Sequence, residues 1–462
     1  MTEAQPDTAA SRLVSLDVFR GMTIAGMVLV NNPGTWSAIY DPLEHAEWNG
    51  ITPTDYIFPF FLFIVGTAIP IALRKGRNPS GSEGVRSTRA LYVKIAKRAA
   101  TIFALGLLMS MIPFFQFNDS TGIPYALRIV LVLSFSTALF LYLLERRLEA
   151  AIVAGISALT LLGFYLAGAN IVWYNFSTMR IPGVLQRIAV CYLVVSIIFL
   201  HTSWRQQAII GGVLLLAYWV LMTTIPVPGC EITTINDKAC NLAAYIDRMI
   251  LTESHIWRSA RVYDPEGILS TIPAIVTTIS GVLTGTWLLR SDKGQVTSDK
   301  TDDSSLVTRH SSLNKAAGMF FFGTALLAAG YVWSLAFPLN KSLWTSSYVL
   351  YTSGLALLTL ASCYWLIDIK GYRRWAKPFV IFGVNALALF VFSGIMARLL
   401  GMIRLAGAEE GKEITLQQWI FGNAFLRFAE PIDASLAYAV CFILLWLFLM
   451  WLLYRKRIYI KV

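Results

Sequence analysis

The chain has 462 residues, 56% of them hydrophobic and only 14% charged, with a formal net charge of +11 at pH 7. Soluble domains carry about a quarter charged residues, so a water-soluble globule is excluded, and the mean hydropathy of +0.60 points to the bilayer. The positive charge falls in alternate loops rather than interleaving with aromatics, which excludes nucleic acid as the expected partner.

The first residues, MTEAQPDTAASR, lack the charged-then-apolar pattern and cleavage site of a signal peptide. The first helix is therefore expected to remain in the mature protein. Apolar runs long enough for a span, about 20 residues, predict about 12 helices: 13–32, 56–73, 93–112, 124–144, 150–168, 183–200, 207–225, 267–289, 315–337, 345–367, 378–400 and 433–454. The fold class is all-α, a polytopic membrane helical bundle forming a single transmembrane domain with no clear internal repeat.

The first helix carries a polar stripe. Asp17 and Arg20 are three apart and share a face. Asn31, near the opposite end, returns to within roughly 40° of that face at about 3.6 residues per turn. A central intramembrane charge costs about 3 kcal/mol, so this stripe is a candidate polar route. The plainer alternative is an ion pair pinning the helix end.

Next comes DPLEHAEWNGITPTDYIFPFFLFIVG at 41–66, the most informative stretch. His45 sits among Asp41, Glu44, Glu47, Trp48, Asn49 and Asp55, just where the second helix begins at Tyr56. An imidazole among acids at the water–lipid boundary suits proton transfer. The alternative is a histidine that only hydrogen-bonds within an outer loop.

Loop 74–98 holds Arg74, Lys75, Arg77, Arg86, Arg89, Lys94, Lys97 and Arg98, a cytoplasmic signature. Arg146 and Arg147, the set Lys370, Arg373, Arg374 and Lys377, and the tail Arg455-Lys456-Arg457 fall on the same side, as does the polar linker 291–314. Loops 41–55, 226–266 and 401–432 fall on the other. Both termini are expected in the cytoplasm.

Further along, RIPGVLQR at 180–187 brings Gln186 and Arg187 into the sixth helix, where they are expected to face the bundle interior. Tyr263-Asp264-Pro265-Glu266 opens the eighth helix, with capping as the simple account of Asp264. Lys341 lies in a short outer loop against the charge trend, and Asn385 is a lone amide in a helix, suited to an interhelical bond. Of five cysteines, Cys230 and Cys240 share one outer loop and are a candidate disulfide. Metal-ligand spacing is absent, and no metal is expected.

SLDVFRG, NNPG, HAEWNGITPTDYIFPFFLFIVG, RIPGVLQR, IPVPGC, AAYIDR, DPEGILSTI, NKSLWTSSYV and YRKRIYIKV occur in order. From about residue 12 to the last, this set resembles the heparan-alpha-glucosaminide N-acetyltransferase family and its bacterial relatives. Two departures from the lysosomal enzyme are expected: no large N-terminal luminal region, and a helix pair, the fourth and fifth, inserted before RIPGVLQR.

The resemblance implies a transmembrane enzyme of the cell inner membrane. It would take acetyl from cytoplasmic acetyl-CoA, a co-substrate, and pass it to the amine of a glucosamine-type acceptor on the outer side. The family's histidine falls on His45, its asparagine on Asn31 and its first-helix aspartate on Asp17, the expected catalytic set. Arg20, Gln186, Arg187 and Asn385 are expected to contact CoA, and Asp55, Trp48, Glu266 and Lys341 the sugar. Lys94, Lys97, Arg98, Arg373, Arg374 and Lys377 are candidates for the nucleotide phosphates. His45 as base in a ternary complex is preferred to an acetyl-His45 relay, because a pantetheine arm can reach an outer acceptor directly. Two-fold association is expected on general grounds. The rival reading, from another class, is an amino-sugar transporter.

Overall fold

The structure, a computed structural model, describes residues 13–73, 83–117, 123–169, 171–289, 304–407 and 413–460, without side chains at 83–88, 123–126 and 304–310. Parts of the basic 74–98 loop, most of the 291–314 linker and the side chain of His310 lie outside the described residues.

The chain is overwhelmingly helical. In order come α1 (Val14–Asn31), α2 (Ile57–Leu73), α3 (Glu83–Ser110), α4 (Ile123–Leu143) and α5 (Arg147–Leu166). Then follow α6 (Val184–His201), α7 (Trp204–Thr224), α8 (Leu242–Leu251), α9 (Thr271–Leu288) and α10 (Ser304–Ser334). The last are α11 (Ser346–Cys363), α12 (Lys377–Val384), α13 (Ala386–Met402), α14 (Leu416–Ile420) and α15 (Pro431–Arg455). Two short antiparallel ladders join Phe115–Phe117 to Ile171–Trp173 and Arg404–Ala406 to Glu413–Thr415.

Every run read as apolar in the sequence is helical. Among the described residues nine segments are long and apolar enough to cross a membrane, and α12 with α13 makes a tenth if counted as one span. That pair corrects the expected single helix 378–400: the two halves meet at 82°. The break falls at Asn385, whose backbone leaves the helical region (φ −124°, ψ 31°). Its side chain is used elsewhere. Nδ2 donates to the Ile458 carbonyl at 3.1 Å, and Oδ1 accepts from Ile460 N–H at 2.8 Å. The short helix α8, inside the stretch read as an outer loop, is capped by Asn241, whose side chain accepts from Ala244 N–H.

The helices divide by burial. Spanning segments α1, α2, α6, α9 and α11 are more than half buried, whereas α5, α7, α10 and α15 are less than a third buried and carry large apolar side chains outward. The inner five carry most of the buried polar residues of the spans, because a polar group facing lipid tails finds no partner there. Close backbone approach fixes their packing. A Cβ at Gly66 would lie 2.0 Å from the Thr278 carbonyl oxygen, and one at Gly281 2.0 Å from that of Phe63, so only glycine permits the α2–α9 contact.

Loops gather at two ends. At one, segment 41–55 meets the 226–266 stretch (Asn49 to Asn236, Trp48 Nε1 to the Ile235 carbonyl) and the 338–345 loop (Asn340 to Asn49, Gly50 N–H to the Leu339 carbonyl). Cys230 and Cys240 form a disulfide at this end. At the other end Asn385 holds the C-terminal tail, and Lys94, Lys97 and Arg98 of α3 stand near Arg20 of α1 around one cavity.

Candidate active site

Segment 41–55 is folded around one carboxylate. Pro53–Tyr56 forms a short 3-10 turn whose cap, Thr52, and third residue, Asp55, bond reciprocally. Oδ2 of Asp55 accepts from Thr52 N–H at 3.0 Å, Thr52 Oγ1 at 3.2 Å and Ala46 N–H at 3.2 Å. Oδ1 remains, and it meets His45 Nδ1 at 2.7 Å. The carboxylate is buried at 1% side-chain exposure while the histidine is 50% exposed. A buried acceptor on Nδ1 selects the tautomer with its proton there and leaves the Nε2 lone pair outward. That is the arrangement of an oriented base.

Lys341 completes the group. Its Nζ lies 3.0 Å from both ring nitrogens of His45 and 3.7 Å from Asp55 Oδ1. Equal reach to the two nitrogens sets the amine beside the ring face, in line with neither lone pair. The lysine is placed by its loop: the buried Asn340 side chain accepts from Leu343 N–H and donates to Asn49, and its backbone N–H donates to Thr345 Oγ1. Burial pushes Lys341 below its ordinary value, against the opposing pull of Asp55 and Glu266.

Beneath this loop, Trp344 is fully buried. Its indole packs edge-on to Phe58 (5.1 Å) and Tyr348 (5.3 Å), and its N–H donates to Thr277 Oγ1 at 3.1 Å. The Arg187 guanidinium lies over the same indole, 5.0 Å from its centroid. Arg187 donates to the Gly267 carbonyl at 3.2 Å and to Ser270 Oγ. Its Nε and Nη1, although buried, have no hydrogen-bond partner among the described residues. Such orphaned donors cost about 1–3 kcal/mol each.

Alongside, Arg180 makes a two-pronged pair with Asp264 (2.9 and 2.6 Å) and reaches Glu266 at 2.5 Å. Burial would lower Arg180, but the two acids hold it above its ordinary value. Burial would raise Glu266, but Arg180 and then Arg187 hold it below. Asp247 of α8 accepts Ile268 N–H at 2.8 Å, and burial lifts its carboxyl to about 6.

From the opposite end a cavity of about 670 Å³ enters the bundle. Lys94, Lys97, Arg98, Arg147 and Arg20 stand around it, and its apolar wall includes Phe61, Ile64, Ile188 and Leu387. Arg98 lies over the Tyr192 ring at 5.0 Å. The volume lies within the range of small-molecule sites, about 300–1,000 Å³. The pocket does not extend to His45. Phe58, Trp344 and the cavity-lining Ile188 belong to one buried apolar cluster, and Arg187 lies over Trp344.

The structure thus brings together His45, Asp55 and Lys341, and separately Arg20 with the three α3 cations. Asp17 pairs with Arg20 at 3.2 Å at the cavity end of α1. Gln186 is buried against Gly106 and Gly183, within the bundle as expected. Trp48 is buried edge-on to Tyr263 at 4.9 Å, supporting the His45 segment from below. Glu266 belongs to the Arg180 pair. Asn31 is exposed at the end of α1, with no hydrogen bond to His45 among the described residues. The Asn385 amide serves the C-terminal tail, although its neighbours Val384 and Ala386 line the cavity. Arg373, Arg374 and Lys377 do not line it. Of the other histidines, His201 bonds to Tyr92 Oη and His255 to the Met179 carbonyl.

Three features escaped sequence reasoning: the Arg180–Asp264–Glu266 pairing, the buried Asp247 and the part of Arg147 in the cavity. Arg180 and the DPEG acids stand out as charged ends of apolar runs. Their partnership spans more than eighty positions, which no local pattern encodes.

Residues 12–182 match the family model described as heparan-alpha-glucosaminide N-acetyltransferase, catalytic. Over 99% of its length the chain is 25% identical to the mouse protein named heparan-alpha-glucosaminide N-acetyltransferase, and over 98% it is 26% identical to the human protein of that name. It spans 62% and 60% of those two relatives, respectively.

Proposed function

We propose that this chain, a relative of the heparan-alpha-glucosaminide N-acetyltransferases, moves acetyl from acetyl-CoA to the amine of a glucosamine-type sugar across the membrane. The observation that carries the reading is a continuous chain of contacts between two ends of one bundle. Ile188 lines the basic cavity, Arg187 beside it stacks on Trp344, and the Trp344 loop holds Lys341 against His45.

In this reading the nucleotide phosphates sit among Lys94, Lys97, Arg98 and Arg147, with Arg20 deeper, and the pantetheine arm follows the apolar wall. Movement of Trp344 or Phe58 opens the layer that separates the arm from His45. Arg187 then supplies its unpartnered N–H groups to the thioester carbonyl, stabilising the oxyanion as it forms. His45 Nε2 takes the proton from the acceptor amine, and Asp55 holds the ring and steadies its cationic form. Trp48, Glu266 and Asp55 shape the acceptor side. A direct ternary complex needs no acetyl-His45, and Asp17 acts through Arg20. Twelve spans with both termini in the cytoplasm of an inner-membrane protein fit the gathering of basic residues around the cavity.

The test is direct. Purified chain in detergent, given acetyl-CoA and glucosamine, is expected to release CoA thiol and form the acetamide, and His45→Ala to stop both. Uptake of amino sugar into vesicles without acetyl-CoA, with no thiol release, would favour a transporter and overturn the reading.

A further inference from the structure

We propose that Lys341 Nζ occupies the seat of the acceptor amine and is itself a self-acetylation site of the enzyme. The inference rests on the acetyltransferase reading above. It starts from a chemical likeness: a lysine side chain and a glucosamine both present a primary amine on saturated carbon. Here that amine lies 3.0 Å from His45 Nε2, the atom assigned to remove the acceptor's proton, beside the ring face, so a swing of the lysine side chain brings it into line with the Nε2 lone pair; it also lies 3.7 Å from the carboxylate that would attract an incoming ammonium.

The position is built. Lys341 lies between Asn340, which is locked by three hydrogen bonds, and buried Trp344, whose N–H returns to the Lys341 carbonyl. The side chain is only 19% exposed. Burial also favours the neutral amine, the nucleophilic form.

The step balances without any further reactant. Neutral Nζ attacks the thioester carbonyl carbon, one N–C bond forms and the C–S bond breaks. The proton leaves Nζ for His45 Nε2 and passes to the departing CoA sulfur, giving CoA thiol and an uncharged ε-acetamide. Nothing is oxidised or reduced. An acceptor sugar entering the same seat displaces the lysine, so the two amines compete.

Full-length protein in detergent, incubated with acetyl-labelled CoA, is digested and mapped with and without glucosamine, and N-acetylglucosamine is quantified in parallel. Expected are an acetyl group on Lys341 without acceptor, about tenfold less in His45→Gln, and suppression by glucosamine. Should His45→Gln not fold, suppression in the unaltered chain decides alone. N-acetylglucosamine formation with Lys341 unmodified overturns this inference and leaves the enzyme reading standing. Labelling of Lys341 that neither glucosamine nor His45→Gln reduces marks ordinary lysine acetylation and overturns it too. Absence of both products overturns both.

Discussion

The guanidinium of Arg187 lies over the indole of Trp344, 5.0 Å from its centroid, with two of its nitrogens unanswered in the bundle interior among the described residues. A cation held over an aromatic face gains about 2 kcal/mol when desolvated. That offsets only part of the penalty of its unmet donors, so an acceptor oxygen reaching this point is bound strongly.

Arg187→Met is expected to lower kcat by about a hundredfold or more, the cost of removing an oxyanion donor. Stability should change little, because an incompletely paired buried charge is replaced by apolar volume. Steady-state kinetics beside thermal unfolding checks this. Lost folding with normal specific activity in the surviving fraction would contradict it.

Asp55→Asn keeps the shape of the carboxylate but turns a donor or a neutral oxygen toward His45. A fall in kcat of roughly 10²–10⁴ is expected, approaching that of His45→Ala, and the double variant should be no worse than the poorer single one. Additive losses would separate the two residues into independent roles.

Lys97→Gln and Arg98→Gln are expected to raise KM for acetyl-CoA about tenfold each, from a lost charge-assisted contact of about 1.5 kcal/mol. KM for the acceptor should not move, and the effect should shrink as salt is added. A shift confined to the acceptor would place the nucleotide elsewhere.

Asp247, outside the spanning helices, keeps its proton to about pH 6 because burial penalises the carboxylate, against an ordinary 3.8. Between those values the folded chain holds a proton that the unfolded chain has released. Stability from this group is therefore greatest below that window, declines as pH rises through it, and is flat above. Asp247→Asn should remove the slope and add up to about 3 kcal/mol near neutral pH, its Oδ1 still receiving Ile268 N–H while loss of the bond from Asp264 N–H takes back part of that gain. Unfolding monitored by tryptophan fluorescence from about pH 4 to 8 would expose an unchanged slope.

Much of this site was readable in advance, for identifiable reasons. His45 and Asp55 stood out as an imidazole among acids at the lipid boundary, Lys341 as a lysine against the charge trend of its outer loop, and Gln186 and Arg187 because neither can face hydrocarbon. The helices followed from run length alone. The break at Asn385 did not, since the flanking residues read as one apolar stretch and its cause is a bond to Ile458 and Ile460, more than seventy positions away. The reading of Asn31 rested on helical phase. Phase places residues on a face but does not say whether that face is covered, and at the last turn of α1 Asn31 is open while Asn32 is buried, bonded to the Val28 carbonyl.

The tether between Asn385 and the tail has a practical side. Ile460 is both a partner of that amide and part of the cavity wall, so the last stretch of chain helps to form the cavity to which we assign the nucleotide. A purification handle or fluorescent fusion attached there would tug on the vessel it is meant to report on. Handles belong at the amino-terminal side, where the first described residues line no part of that chamber.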